Sequence, residues 1–275
     1  MKKIIINADD FGHNANKNEA IKLGFQSGII TSTSVITNME GFEHAVNEVL
    51  PEIPFLDLGF HFNIIEGKSL TNPSLLTDKN GYFNCSYPEL ILKSPLKKFQ
   101  EQLETEFRAQ IEKILPYKKL SHVDSHVHTH AIPPIFNLVQ KLAKEYEIPY
   151  IRTQHEIPYK IKSEGITPAY CVNTIKNILL NTFTAINKKS IKDISTTDYF
   201  IGVLYTGCMT TETILEGLNK IQDDNSLTEI IFHPTIDIQP NSKKRNREFE
   251  ITQDNSFRER LDQLEYLLTS FNNLG

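Results

Sequence analysis

Cysteine is scarce. Cys85, Cys171 and Cys208 are scattered through 275 residues, an odd number with no pair at zinc-ligand spacing. No disulfide framework is expected, and a reducing, cytoplasmic setting fits. Long apolar runs are missing too. None approaches the roughly 18 residues that span a bilayer, so no membrane segment is expected. Met1-Lys2-Lys3 is followed by only three isoleucines before Asn7, short of the about 7–15 apolar residues of a secretory signal. An excess of positive charge is also absent. Lys and Arg number 29 against 34 Asp and Glu, a net charge of −5, which argues against a nucleic-acid or anionic-membrane partner. With 39% hydrophobic and 23% charged residues, the chain is globular and long enough to bury a core.

What is present alternates. Ile4-Ile5-Ile6 reads as a buried strand ending at Asn7-Ala8-Asp9-Asp10. Asn16 followed by Glu19 reads as a helix start, and Gly28 as its end. Further strands are expected at 29–37, 56–62, 121–129, 150–152, 199–204 and 228–233. Helices are expected at 42–50, from Ser94-Pro95 to Leu115, from Pro133 to Tyr146, near 175–183, from Thr211 to Ile221, and at 257–268. Residues 66–93 lack a period and read as a long loop of the kind that often serves as a lid. Tyr82, Phe83 and Tyr87 in it either stack on sugar rings or pin the loop down. The basic run Lys243-Lys244-Arg245-Asn246-Arg247 reads as a solvated loop. About seven strands alternating with helices predict an α/β fold with a largely parallel sheet, and the chain reads as one domain over 1–275.

Polar residues gather where these strands end: Asp9, Asp10, His61, His126, Arg152 and His233. In α/β barrels that is the active-site face. Four of the nine histidines fall between His122 and His130. In an extended strand His122, Asp124, His126, His128 and His130 would share one side. Five such residues span roughly 13 Å, so one ion could touch only one or two. The plain alternative is a histidine-rich surface strand. Asp9 and Asp10 would face opposite ways in a regular strand, so a bend is expected there, with Gly12 permitting it. The plain alternative is a turn or helix cap. His61 alone reads more often as a satisfied core residue than as a ligand, and His233 alone could equally be structural. Together, one carboxylate and two histidines make an open divalent-metal site, and a spare carboxylate and histidine fit a general base and acid.

The motifs Asn7 to Gly12, Thr31-Ser32-Thr33-Ser34, Gly59-Phe60-His61-Phe62, His122 to His128 and Glu229 to Pro234, in that order, resemble those of the YdjC-like carbohydrate deacetylases. The resemblance runs from Lys3 to about His233. It implies a variant (β/α) barrel of about seven parallel strands, similar to the NodB-type polysaccharide deacetylases. It implies metal ligands at Asp10, His61 and His126, a base at Asp9 and an acid at His233. It also implies magnesium and a homodimer. By ligand softness, two imidazoles and a carboxylate suit zinc or another first-row metal. Asp124, His128 and Arg152 are candidates for substrate contact. His13 departs from the apolar residue expected after the Asp-Asp-Phe-Gly motif, and residues 156–197 match poorly.

The expected activity is removal of N-acetyl groups from amino sugars or chito-oligosaccharides by a metal-dependent hydrolase. Two rivals remain: another metallohydrolase of phosphoesterase type, and a non-catalytic sugar- or metal-binding protein. Phosphate is disfavoured by the lack of an Arg and Lys cluster at the strand ends, Arg152 being the main candidate.

Overall fold

A computed structural model describes residues 1–161, 167–237, 239 and 243–274. Among the described residues, eight strands form one wholly parallel sheet: β1 (Lys2–Phe11), β2 (Ser32–Val35), β3 (Asp57–Phe62), β4 (His122–Ser125), β5 (Tyr150–Ile151), β6 (Tyr199–Ile201), β7 (Leu227–Phe232) and β8 (Tyr266–Leu268). Their order is β5-β4-β3-β2-β1-β7-β6, with β8 paired to the start of β1. The sheet curls until its edges face each other. Arg152, just past the edge strand β5, reaches Asp9 on β1 and Glu229 on β7, which a flat sheet would forbid. Irregular backbone spans the remaining gap, with Ile151 N–H donating to Ser195 and Phe200 N–H to His155, both at 2.9 Å.

Parallel strands need crossovers, and helices supply them. The amphipathic helix Lys97–Ile114 buries Phe99, Leu103, Phe107 and Ile111 on one stripe, as its sequence period predicts. The helix Pro133–Glu145 starts at its proline pair, where no backbone N–H is needed. No helix among the described residues is long and apolar enough to cross a membrane.

Several local expectations shift. The second strand is shorter than 29–37 and the fourth shorter than 121–129. The eighth strand, Tyr266–Leu268, takes over part of the helix expected at 257–268, which ends at Gln263. The helix expected from Ser94-Pro95 begins at Lys97, because Ser94 closes a separate helix, Tyr87–Lys93. Lys243 to Arg247 is no loop but the start of the helix Lys243–Thr252. The region 66–93 is fastened rather than loose. Buried Glu106 accepts the N–H groups of Leu70 and Thr71 at 2.9 Å each. Phe83 is buried and the Tyr87 hydroxyl donates to the His128 carbonyl, so these two pin the segment; Tyr82 is exposed.

The inner face of the barrel is polar for its lower and middle layers. His122 lies there against Gly59, where any Cβ would collide with the imidazole. The same ring stacks on Phe271 at 4.1 Å. Above it lies a buried charged layer of Asp9, Asp124, Arg152 and Glu229.

Candidate metal centre

The end of β1 bends as the Asp-Asp pair requires. Its register against β2 slips between Ala8 and Phe11, and Asp10 itself takes a left-handed φ of 72°. That bulge turns both carboxylates toward one site. The fourth strand also breaks its alternation. It stops at Ser125, and His126–Ala131 winds into a 3-10 helix in which Val127 and His128 have φ of 54° and 55°. The even-numbered residues therefore do not share one face. His122 lies near the base of the barrel, His130 turns inward, and His126 alone of the four histidines joins Asp10.

Asp10, His61 and His126 each offer one ligand atom, and these atoms lie within 4.8 Å of one another. Asp10 Oδ1 stands 3.0 Å from His126 Nδ1 and 3.4 Å from His61 Nε2. His61 Nε2 is buried and makes no hydrogen bond. A buried imidazole nitrogen without a partner, aimed at a carboxylate and a second imidazole, fits a cation at this point. His61 Nδ1 is held by Asp124 Oδ1 at 2.7 Å and lies 3.0 Å from Ser34 Oγ. A carboxylate behind a histidine is the usual support of a metal-binding imidazole. Burial lowers the proton affinity of His61, but Asp124, Asp10 and Asp9 together outweigh it and raise the ring to about 10. The cluster thus draws positive charge, which a cation supplies in place of that proton. Burial likewise opposes ionisation of Asp10, yet Lys17 and His126 hold its carboxyl well below the usual range.

His61 belongs also to a second group, with Asp9 and Asp124. Asp9 is gripped by Arg152 and accepts from Asn7 Nδ2 at 2.8 Å. Burial would raise its carboxyl, but the guanidinium lowers it. Arg152 also meets Asp124 Oδ2 at 2.6 Å and Glu229 Oε1 at 2.8 Å. Arg152 and Asp124 are fully enclosed and occupied by these partners. His128 is half-buried with Nδ1 unpaired, and burial followed by Arg152 keeps it neutral.

His233, just past β7, stands 3.9 Å from Asp9 Oδ2 through Nε2. Its backbone N–H donates to Glu248 Oε2 at 2.6 Å, and its Nδ1 lies 3.4 Å from the same oxygen. Arg245 holds the other Glu248 oxygen at 2.7 Å. Sequence reasoning leaves His233 without a carboxylate partner; Glu248 is that partner, and its helix carries no local signal for the role. Two more residues escape the sequence. Glu66, half-exposed just past β3, lies 3.3 Å from His126 Nε2 and 3.5 Å from His13 Nε2. Those two histidines hold its carboxyl well below the usual range. Lys17 stands 2.8 Å from Asp10 Oδ2. Both sit one short step beyond a strand-end ligand, a position that alone marks them.

The model of the family described as YdjC-like protein matches residues 3–263. The chain belongs to the YdjC-like family. A carbohydrate deacetylase of Brevibacillus brevis is 41% identical to it over 150 residues, 54% of this chain and 58% of that one. One of Clostridium beijerinckii is 36% identical over 185 residues, 65% of this chain and 73% of that one. One of Vibrio parahaemolyticus is 27% identical over 239 residues, 86% of this chain and 80% of that one. The match to the Brevibacillus protein thus covers little more than half of that relative. Among solved structures, one from Enterococcus faecalis V583, provisionally described as a cellobiose-phosphate cleavage protein, shares the fold. It has a TM-score of 0.75 at 24% identity and covers 100% of this chain and 99% of its own.

Proposed function

We propose that this YdjC-like chain is a metal-dependent hydrolase that removes N-acetyl groups from amino sugars or chito-oligosaccharides. The observation that carries the reading is the position of His61, shared between the Asp10–His126 group and the Asp9–Asp124 group. A cation site and a spare carboxylate then adjoin. Asp10, His61 and His126 would hold one divalent ion, Mg2+ or Zn2+. When bound, that ion supplies Lewis acidity toward the amide carbonyl and makes water more acidic. Asp9, kept ionised, accepts a proton from the attacking water. Arg152 fixes the direction of that carboxylate, and Asp124 fixes the His61 ring. His233 donates a proton to the departing amine, which is a very poor leaving group as an anion. His128, close enough to Asp9 and His233 to feel both groups, contacts the substrate. The supporting places of Arg152 and Asp124 replace the substrate contacts expected of them, because both are enclosed.

The phosphoesterase alternative loses its main cation, since Arg152 is saturated by three carboxylates. The test is acetate release from N,N′-diacetylchitobiose by purified protein, with chelator and after restoring Mg2+ or Zn2+. Release that stops with chelator and returns with the ion is expected. No release with either ion sinks the deacetylase reading, and release indifferent to chelator sinks the metal.

A further inference from the structure

Lys17 lies in the first turn of the helix Ala15–Gln26, whose N-cap Asn14 accepts the Lys17 N–H at 3.0 Å. Its side chain folds back over the end of β1 and places Nζ 2.8 Å from Asp10 Oδ2. The other oxygen, Oδ1, faces His126 and His61. The Asp10 carboxylate is therefore divided, one oxygen to an ammonium and one to the two imidazoles. This is no surface pair: the Lys17 side chain is 17% exposed and that of Asp10 4%. Charges so enclosed act on each other with little screening by salt or water.

Two effects follow for a cation against Oδ1. With Oδ2 occupied, Asp10 offers one donor rather than two. Together with the imidazoles that makes three, and positions stay open for water and substrate. An ammonium one carboxylate away also repels a dication and draws charge out of the ligand set. Glu66 lies on the other side, 3.3 Å from His126 Nε2, and acts with the opposite sign.

We infer that Lys17 is a positioning residue that confines Asp10 to one-oxygen coordination and holds down the affinity of the centre for its cation. The inference rests on the metal-centre reading above. A salt bridge that merely ties the helix to β1 would have a different signature, because its loss loosens Asp10 and weakens binding.

The experiment measures Mn2+ and Zn2+ dissociation constants by chelator competition on the full chain, for wild type, Lys17→Met, Lys17→Arg and Glu66→Gln. Thermal melts without metal check folding, and Lys17→Gln replaces Lys17→Met if the latter does not fold. Lys17→Met should bind about 10-fold or more tightly than wild type, a change of the size that supporting residues typically cause. Lys17→Arg, which keeps the charge, should not bind more tightly. Glu66→Gln should bind more weakly. Unchanged or weaker binding by a folded Lys17→Met overturns the inference while leaving the metal centre intact. No binding by wild type overturns the centre itself, and the inference with it.

Discussion

Arg152 grips Asp9 by both oxygens, Nη1 at 2.8 Å from Oδ2 and Nη2 at 2.7 Å from Oδ1. The same guanidinium sends Nε to Glu229 at 2.8 Å and is wholly buried. Its planar fork fits this arrangement, whereas a lysine ammonium is a single point charge. Arg152→Met leaves three carboxylates enclosed without their cation. It should cost about 3–5 kcal/mol in denaturant unfolding, the range for breaking a buried pair. Arg152→Lys should recover only part of that. A loss under about 1 kcal/mol for Arg152→Met, the value of an exposed pair, would mean that the three carboxylates do not depend on its charge.

Glu229 gives the stability a pH dependence of its own. Burial pushes its carboxyl up to about 7 against the pull of Arg152, and its Oε2 has no hydrogen-bond partner. The folded state therefore binds a proton that the unfolded chain, with a carboxyl near its ordinary value of 4.5, has released. Stability from this group is full below the unfolded value and is lost as pH rises through about 7. Asp9, Asp10 and Asp124 are held low and work the other way: their stability is present above their unfolded value of 3.8 and drains as pH falls below it. With chelator present, the urea midpoint of wild type should gain on that of Glu229→Gln as pH falls from about 7 to about 5. A difference between the two that does not change over this range would remove the proton from Glu229.

Asp10, His61 and His126 should behave as a unit. Loss of any one leaves at most two protein ligands, so metal affinity should drop by at least about 10–100-fold. Elemental analysis of dialysed His61→Ala and His126→Ala checks this, and full occupancy in both variants is incompatible with the assignment.

Asp9→Asn should keep the metal and lose about 10²–10⁴-fold in turnover, since an amide cannot take the proton of water. If Asp9→Asn sheds the metal while Asp10→Asn retains it, the two carboxylates have exchanged roles. The register slip at the end of β1 makes this a real alternative, because it brings both side chains to the same side.

His233→Ala should retain metal and slow hydrolysis of acetamido sugars by about 10²–10⁴-fold. A phenyl acetate, whose phenolate leaves without a proton, should suffer much less. Glu248→Gln should show the same contrast in weaker form, because Glu248 orients His233 without touching the reacting atoms. Equal losses on amide and ester would leave His233 as a binding or structural residue.

The strand ends were legible because each apolar run stops at a residue that a core does not tolerate unpaired: Asp9 and Asp10, His61, His233. The place where β4 stops was not. Nothing in Ser125-His126-Val127-His128 announces two successive left-handed residues, least of all a β-branched valine at φ 54°, and the period-two pattern continued past the true end. Two contacts hold that turn: the distant Tyr87 hydroxyl on the His128 carbonyl, and, within the turn, Ser125 Oγ accepting the His130 N–H at 2.8 Å. Glu248 was hidden for a similar reason, since only the return of the helix Lys243–Thr252 to the barrel brings it to His233. Arg152 was visible as a strand-end cation, but its use was not, because sequence shows neither enclosure nor the three carboxylates around it.

The pairing of β8 with the start of β1 joins opposite ends of the chain, Lys2 to Tyr266 and Ile4 to Leu268. During synthesis, at about 5–20 residues per second, the first strand must wait on the order of tens of seconds for this partner. Its other long neighbour, β7, comes nearly as late. Until then β1 has only β2, which pairs with it from Asn7 onward, and both flanks of the isoleucine run stay open. The isoleucine run, the most apolar stretch of β1, is thereby enclosed only once β7 and β8 have emerged.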